Sequence, residues 1–398
     1  MQAPIWTVPY LSGAANYSLG AGWRVSPKDV DLFKRLPTKE RWSHRFSKTE
    51  RGLVQYGAHD VGFVYVCLVA RTIFPFLGDL RAIQVLNWMV HLACCAGILL
   101  LLDRSHHRWL FIVLYAANPV IVYLATFPYY YFWQILPSFA LAWLVLRPGR
   151  VTWGAGIIAL FLMAAGVAIR PSTLPVVLLT VAYLLLHKRN AVTLACAVAT
   201  VVVILLIPKA NKMFFFTAYV GLGAYPNPEN LSLSDESGYA RYKQTRGTEL
   251  EFDFGGNYYD SATRRDLNGV LKHAFLDFAR EHPVLLLRNA FLNTGLAFGG
   301  GYFVGLPYLA LAVCAVAGWG FAILLWIYGR KVWVLATLSS VAGFVAYYPP
   351  VPVYMLGGYV FVVLALLSVG GRLRSCRPLP SMHPASVAYE GAGKPSDE

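Results

Sequence analysis

The sequence predicts an all-α polytopic membrane protein with about nine to ten transmembrane helices, and three observations lead to this fold class. Of the 398 residues, 57% are hydrophobic and 14% are charged, whereas soluble domains carry about 25% charged residues. The mean hydropathy is +0.51. Apolar runs long enough to cross a hydrocarbon core of about 30 Å recur along the chain. Together these observations exclude an ordinary soluble enzyme, a collagen and a disordered protein.

Nine apolar runs have about the length of a transmembrane helix, and a tenth is interrupted by Arg71. The nine runs are 82–102, 109–126, 130–147, 151–169, 172–186, 191–208, 304–328, 332–348 and 353–370. The tenth, 61–77, is either a span or an interfacial amphipathic helix. The predicted parts of the chain are an N-terminal polar and amphipathic region on the outer face (1–80), a first transmembrane bundle (81–208), a long outer loop (209–283), a C-terminal transmembrane bundle (284–372) and a disordered cytoplasmic tail (373–398).

Basic residues are segregated among the connectors, and this predicts the orientation of the chain. Lys and Arg occur in the connectors 103–108, 147–150, 187–190 and 329–331, whereas 127–129 and 349–352 carry no charge. Because cytoplasmic loops are enriched in Lys and Arg, the long loop is predicted to lie outside. We expect a multi-pass protein of the inner (plasma) membrane, with the N-terminal region outside for nine spans and inside for ten. The net charge of +14 then reflects cytoplasmic loops and lipid headgroups rather than nucleic acid.

The N-terminal polar region contains three candidate catalytic carboxylates. Asp60 follows His59 and stands immediately before an apolar run, which predicts that it lies at the depth of a lipid-linked phosphate. A carboxylate there can act as a general base towards a lipid-linked substrate, while His59 contacts the phosphate. Asp29 and Asp31 lie in a basic stretch and are the second choice. The alternative is a solvated juxtamembrane helix whose basic residues bind headgroups.

Two arginines are candidates for binding the donor phosphate. Arg170 follows the run 151–169 at its predicted outer end, and Arg288 lies in the apolar stretch 284–299. A guanidinium can form two parallel hydrogen bonds with a phosphate, which suits it to hold one at headgroup depth. The alternative for Arg170 is snorkelling to ordinary lipid phosphate.

The outer loop combines aromatic rings with carboxylates, a composition typical of sugar-binding surfaces. Asp235, Tyr239 and Tyr242 are the candidates for sugar or acceptor binding. Rings can cover the apolar face of a sugar, and polar groups can bind its hydroxyls. A helix is predicted over about 264–282.

A polar stripe marks one face of the predicted helix 82–102. Gln84, Asn87 and His91 are spaced at i, i+3 and i+7, so they share that face. We expect them to make interhelical hydrogen bonds. The alternative is that they line a substrate groove.

The arrangement resembles the GT-C superfamily of integral-membrane glycosyltransferases over about residues 10–370. The resemblance is carried by the segment 10–23, Asn118-Pro119, Arg170-Pro171 and His282-Pro283. The chain looks most similar to bacterial relatives of dolichyl-phosphate-mannose protein mannosyltransferases and lipid A aminoarabinose transferases. The resemblance implies a polyprenyl-phosphate sugar as donor, transfer on the outer face, and an acid early in the first outer loop.

Trp6 and Thr7 stand where relatives carry that acid. By the resemblance, either this chain starts late relative to its relatives and lacks their first transmembrane helix and its acid, or the role of the base has moved to Asp60, Asp29 or Asp31. No metal-ligand spacing is present, so no metal ligand is predicted, and a divalent metal stays open as a cofactor.

The predicted function is transfer of a sugar from a polyprenyl-phosphate donor to a cell-envelope glycan, lipid or protein acceptor. The expected partners are this donor, membrane lipid and the acceptor, with no nucleic acid. One alternative is a transporter or lipid flippase, in which the same charges bind ions or substrate. The other is an O-antigen polymerase or ligase, which would use arginines and a histidine of the late outer loop.

Overall fold

The computed structural model describes residues 7–47, 52–55, 61–188, 190–206, 213–248, 250 and 261–369. Within these residues the chain forms eighteen α-helices and one two-stranded ribbon, which confirms the all-α class. The ribbon pairs β1 (Arg24–Val25) with β2 (Val54–Gln55) in antiparallel orientation. The predicted tail, 373–398, lies outside the described residues.

Each predicted part of the chain before the tail contains helices, and the first helix of the predicted first bundle begins two residues before that part, at Asp79. The N-terminal region forms α1 (Val8–Ser18), α2 (Pro27–Arg35), α3 (Thr38–Ser43) and α4 (Val61–Ile73). The first bundle forms α5 (Asp79–Leu99), α6 (Ser105–Phe111), α7 (Pro119–Thr126), α8 (Ile135–Leu146), α9 (Trp153–Ile169), α10 (Leu174–His187) and α11 (Ala191–Leu206). The outer loop forms α12 (Phe214–Gly221), α13 (Asp235–Arg246) and α14 (Ser261–Glu281). The C-terminal bundle forms α15 (Pro283–Phe298), α16 (Tyr308–Ile327), α17 (Lys331–Val341) and α18 (Pro352–Val369).

Four short segments of other helical types connect these elements. The segment between α6 and α7 includes a π-helical stretch, Ile112–Ala116. Single 3₁₀ segments precede α8 (Tyr130–Gln134) and α10 (Pro171–Thr173) and follow α12 (Leu222–Ala224).

Fewer helices are long enough to span a membrane than the sequence predicts. In the described chain, α5, α16 and α18 are long and apolar enough, and the bent pair Ser105–Ala116 with Pro119–Thr126 would be a fourth. The other apolar helices there have 10–17 residues. With 17 residues, α9 rises about 25 Å, less than a core of roughly 30 Å. The prediction of nine to ten full-length spans is therefore wrong.

Proline and asparagine divide the apolar runs into shorter helices. Asn118 accepts hydrogen bonds from the backbone N–H groups of Val120 and Ile121, and Pro119 begins α7. The run 109–126 consequently bends by 54°. Hydropathy measures how apolar a run is, but it does not register such a break in the helix axis.

The centre of the bundle consists of α8 and α18. Eleven of the 12 residues of α8 are buried, as expected for a helix that is apolar on all sides. The two helices approach closely at Gly357, where an added Cβ would lie 2.6 Å from the Ser138 hydroxyl oxygen and 2.9 Å from the Gln134 carbonyl oxygen. This packing brings the turn before α8 next to the start of α18.

The polar stripe on α5 makes interhelical hydrogen bonds, which confirms that interpretation. Gln84 donates to the carbonyl of Thr126 and Asn87 to that of Phe127, each at 3.2 Å. His91 Nε2 lies 3.0 Å from the Ala116 carbonyl oxygen. The stripe thus satisfies carbonyl groups at the end of α7 and at the bend between α6 and α7.

A buried ion pair joins the N-terminal region to α4 and α5. Arg71 donates to both carboxylate oxygens of Asp79, at 2.9 and 2.7 Å, and to the Phe46 carbonyl at 2.6 Å. The Phe46 N–H in turn donates to Asp79 at 2.8 Å. The arginine that interrupts the tenth apolar run is therefore paired inside the protein.

The segment predicted to be the outer loop contains a small helical subdomain formed by α12, α13 and α14. Its core includes Phe216, Tyr219, Leu271 and Phe278. Asn268 of α14 accepts hydrogen bonds from the first backbone N–H groups of α12. The predicted helix over about 264–282 is α14, which begins three residues earlier, at Ser261, and ends one residue earlier, at Glu281.

The two ends of α9 differ in their number of basic residues. Lys188 donates to the carbonyls of Arg147 and Gly149 at 2.7 and 3.1 Å, so two basic connectors meet at one end. Arg170 lies at the other end, beside the aromatic turn Tyr130–Tyr131. The orientation prediction requires this separation of connectors, and the side that faces outwards stays a prediction.

Candidate functional site

A cavity of about 400 Å³ opens at the Arg170 end of the bundle. It is lined by the turn before α8, the α9–α10 junction, the start of α12, the segment between α17 and α18, and the start of α18. Its volume lies in the range of sites for small molecules, about 300–1,000 Å³. Among the described residues that line it, Arg170 carries the one charge.

The end of α9 fixes the backbone of Arg170. A residue before proline avoids the helical region, and Arg170, which precedes Pro171, has φ −139° and ψ 90°. The chain therefore leaves the helix at this residue. Directly before it, Ala168 and Ile169 contact Gly62 of α4 so closely that an added Cβ would lie 2.4–2.6 Å from their backbone atoms.

A cluster of three tyrosine rings lies against the guanidinium of Arg170. Its Cζ lies 4.9 Å from the ring centre of Tyr130, 4.7 Å from that of Tyr131 and 5.3 Å from that of Tyr354. Each distance is within the range of a cation–π contact, about 6 Å. We call these three residues the tyrosine cage. Because they come from α18 and the turn before α8, the central packing of the bundle determines the position of the charge.

The hydroxyl groups of two cage residues meet. Tyr131 and Tyr354 have their hydroxyl oxygens 3.1 Å apart, and either can be the donor. Tyr347, which also lines the cavity, donates instead to the Gly343 carbonyl at 2.6 Å. The wall of the cavity therefore offers aromatic faces and a hydroxyl pair beside one cation.

The start of the chain reaches the turn that carries the cage. Thr7 donates to the Pro128 carbonyl at 2.6 Å, and the Tyr10 ring centre lies 5.9 Å from that of Tyr130. The segment that resembles the neighbourhood of the GT-C acid therefore contacts this turn. Thr7 supplies no carboxylate there, and Trp6 lies outside the described residues.

Asp235 lies near Tyr348 and is not among the residues that line the cavity. It is the first residue of α13, whose N-cap is Ser234. Its charge interacts with Tyr348, whose ring centre lies 5.3 Å from that of Tyr354 in the cage. Asp235 is exposed, and partial desolvation by the surrounding protein, followed by the neighbouring Glu236 carboxylate, raises its pKa.

The other two residues predicted to bind sugar lie away from the cavity lining. Tyr242 donates to Asp266 of α14 at 2.9 Å, and Arg246 donates to the same carboxylate at 3.1 Å. The ring of Tyr239 packs against Phe216 with 5.2 Å between ring centres. Both tyrosines therefore connect helices of the subdomain.

Arg288 binds a turn of the protein itself. It donates to the Pro226 carbonyl at 2.9 Å and to the Asn289 side chain at 3.1 and 2.9 Å. Its Cζ lies 6.0 Å from the ring centre of Tyr225 and 5.8 Å from that of Tyr308. It is not among the residues that line the cavity, so the structure does not bring the two predicted phosphate ligands together.

The candidate carboxylates Asp29 and Asp31 have local partners. Ser12 donates to Asp29 at 2.8 Å, and the Asp29 N–H donates to Ser26, the N-cap of α2. Asp31 lies 3.8 Å from Lys34, one helical turn further on. The preferred base, Asp60, and its neighbour His59 lie outside the described residues.

The tyrosine cage is the part of the site that sequence reasoning missed. A usable signal was present, since Tyr129-Tyr130-Tyr131 and Tyr347-Tyr348 flank two connectors without charge. Such tyrosines are equally typical of the aromatic belt at a membrane interface, which is why composition did not single them out. In the part of the chain that the structure describes, no group of three or more His, Cys, Asp or Glu could hold a metal ion.

Comparisons with family models, curated proteins and solved structures give no match to this chain. A functional proposal therefore depends on the geometry of the cavity and on the sequence.

Proposed function

We propose that the chain is an integral-membrane glycosyltransferase of the inner (plasma) membrane. It would move a sugar from a polyprenyl-phosphate donor to a cell-envelope glycan, lipid or protein acceptor on the outer face, as in the GT-C superfamily that it resembles. The observation that carries the proposal is the Arg170 guanidinium, held by three tyrosine rings in a cavity at the end of apolar helices. This arrangement suits an anionic headgroup whose lipid chain stays in the membrane.

The chemistry of Arg170 favours a phosphate ligand. A guanidinium is always charged, is weakly hydrated compared with an ammonium, and binds phosphate through two parallel N–H groups. Stacking on aromatic faces restricts the plane of the guanidinium and so prepares it for such a ligand. Because the cavity lies at the end of α9, the phosphate would sit at headgroup depth.

The lining of the cavity combines polar and apolar residues. Leu174 and Pro175 of α10 and Met213 and Phe214 near the start of α12 line it together with Arg170. Beside them, α10 and α11 expose apolar side chains, among them Leu178 with 52% exposure. A donor could therefore place its phosphate at Arg170 and its prenyl chain along these apolar surfaces.

Transfer needs little more than a phosphate ligand and a base. The acceptor oxygen or nitrogen attacks the anomeric carbon, the bond from that carbon to the phosphate oxygen breaks, and polyprenyl phosphate leaves with the bonding electrons. The proton of the acceptor passes to the base, for which we keep Asp60 as the first candidate. Asp29 and Asp31 remain behind it because both have local partners. Arg170 stabilises the negative charge of the leaving phosphate.

The test is reconstitution of the purified full-length protein in liposomes with radiolabelled polyprenyl-phosphate sugars. We expect release of polyprenyl phosphate and label in an added envelope acceptor fraction, with both signals lost in Arg170→Ala. Movement of the intact donor between leaflets without its cleavage would indicate a flippase. Polymerisation or ligation of preformed glycan chains that survives Arg170→Ala would indicate the polymerase or ligase class. Either result would overturn the proposal.

A further inference from the structure

The hydroxyl pair of Tyr131 and Tyr354 has no part in the phosphate contact described above. We propose that this pair recognises the donor sugar: the two rings hold Arg170, while their hydroxyls bind a hydroxyl group of the sugar. This inference rests on the proposed function. It assigns two contacts to each of the two side chains, one from the ring to Arg170 and one from the hydroxyl to the sugar. Substitutions that remove only the hydroxyl can separate these contacts.

The geometry places both contacts on one wall of the cavity. The ring centres lie 4.7 Å (Tyr131) and 5.3 Å (Tyr354) from the Cζ atom of Arg170. The hydroxyl oxygens are 3.1 Å apart, and both residues line the cavity and are half-buried. A ligand whose phosphate contacts Arg170 would therefore have its next chemical group within reach of the hydroxyl pair.

The hydrogen-bonding capacity of the pair matches a hydroxyl group. Two phenol hydroxyls carry two protons, and one of these is used between them. The Tyr131 hydroxyl also hydrogen-bonds with Tyr130, and the Tyr354 hydroxyl with Tyr348. A ligand would therefore take the second O–H and the oxygen lone pairs of the pair in exchange for one of these contacts. A sugar hydroxyl also donates one proton and accepts another, whereas a phosphate or carboxylate oxygen accepts only. Since either tyrosine can be the donor, the pair can reverse its direction to suit the ligand.

The remaining cavity wall is compatible with a sugar ring. Phe344 and Tyr347 present aromatic surface to the same space. The Tyr347 hydroxyl already donates to the Gly343 carbonyl, so it competes less well for a sugar hydroxyl. This distinguishes Tyr131 and Tyr354 from their neighbour.

The experiment measures binding of two ligands to the purified full-length protein in detergent by calorimetry. One ligand is farnesyl phosphate, and the other is farnesyl phosphate carrying a hexose or pentose, taken from a small panel. We expect the best sugar-bearing ligand to bind more tightly than farnesyl phosphate. In Tyr131→Phe and Tyr354→Phe we expect the ratio of the affinity for the sugar-bearing ligand to that for farnesyl phosphate to fall by about three- to tenfold. This is the effect of one neutral hydrogen bond. Binding of farnesyl phosphate itself should change less than about twofold, because both rings remain.

Matched variants separate the inference from the proposed function. Tyr131→Leu removes a ring as well as a hydroxyl and should weaken farnesyl phosphate binding too. Tyr328→Phe, at an exposed position after α16, should change the affinity for neither ligand.

Failure of the wild type to bind farnesyl phosphate would contradict the phosphate site of the proposed function. If the wild type binds it but no sugar increases affinity, or if both Phe variants keep the full gain, the sugar assignment is overturned and the phosphate site stands. Equal weakening of both ligands in the Phe variants would also overturn it, since the hydroxyls would then act on Arg170.

Discussion

Arg170 and Arg288 are two arginines with similar aromatic neighbours and different surroundings. Arg170 faces a cavity of about 400 Å³ from within the tyrosine cage. Arg288 lies beside Tyr225 and Tyr308, and it donates to the Pro226 carbonyl and the Asn289 side chain. The difference teaches that an arginine beside aromatic rings becomes a ligand site when its surroundings leave volume for a ligand.

The residues around Arg288 attach the α12–α14 subdomain to the rest of the protein. Tyr225 donates to Asn293 of α15 at 2.7 Å, and Asn293 donates to the Val345 carbonyl at 3.0 Å. Tyr302 donates to the Ala224 carbonyl at 2.8 Å. These bonds connect the turn after α12 to α15 and to the segment that lines the cavity. We therefore assign Arg288 a structural role and Arg170 the role of the donor ligand.

The largest expected effect is that of Asp60→Asn, which should lower the rate of transfer without changing phosphate binding. Asp60→Asn keeps the shape of the side chain but removes the base, so transfer should fall by about 100-fold or more. Binding of farnesyl phosphate should stay at the wild-type value. Asp60 is two residues before Gly62, which contacts Ala168 and Ile169 directly before Arg170. Near-normal transfer by Asp60→Asn would move the role to Asp29 or Asp31.

The next effect compares the arginines directly. Arg170→Lys keeps a charge but cannot reproduce the two-pronged contact. Loss of a charge-assisted contact of about 2–3 kcal/mol corresponds to roughly 30–150-fold in kcat/KM for the donor. Arg288→Lys is the matched control, and it should change kcat/KM for the donor less than about threefold. Similar losses in both variants would mean that the comparison is wrong.

A smaller effect concerns the stability of the Arg288 region. Tyr225→Phe removes the buried hydrogen bond to Asn293 and leaves its acceptor without this donor. The free energy of unfolding should fall by about 1–2 kcal/mol, measured by thermal unfolding in detergent. The Kd for farnesyl phosphate should be unchanged. Weaker ligand binding at unchanged stability would instead place this turn in the ligand site.

The smallest effect depends on pH. The hydrogen bond from Arg246 lowers the pKa of Asp266, and Tyr242 adds to this effect. The folded state therefore prefers the carboxylate, and the resulting stabilisation is present at neutral pH and is lost as the pH falls through the lowered pKa. Because the pair is largely exposed, Asp266→Asn should lower the unfolding midpoint slightly at pH 7. The difference from wild type should shrink below about pH 4. A difference that persists there would mean that the pair does not act through charge.

The sequence predicted the presence of helices more successfully than it predicted their lengths. Composition and apolar runs were sufficient for the all-α class, and the position of α14 followed from its pattern. The runs 130–147 and 332–348 contain helices of only 12 and 11 residues, α8 and α17, so counting runs gave too many spans. Local patterns also identified the polar stripe on α5, because its spacing places it on one face.

The candidate site was predictable one residue at a time but not as a constellation. Arg170 was noticeable because it lies in one of the connectors predicted to face outwards, and the others, 127–129 and 349–352, carry no charge. Tyr131 and Tyr354 are separated by 223 positions, and their meeting depends on the packing of α8 against α18. For Arg288, Tyr239 and Tyr242 the residue types were recognised, but their partners are set by tertiary contacts that the local sequence does not encode.

The central claim is that the donor phosphate binds at Arg170, and photocrosslinking tests it most directly. A farnesyl phosphate analogue with a photoreactive group next to the phosphate is added to the full-length protein, and labelled peptides are identified by mass spectrometry. We predict label in peptides that contain Tyr130–Tyr131, Arg170–Pro175 or Gly343–Tyr354, and loss of this label with excess farnesyl phosphate. Label confined to peptides around Tyr225, Arg288 and Tyr308 would contradict the account.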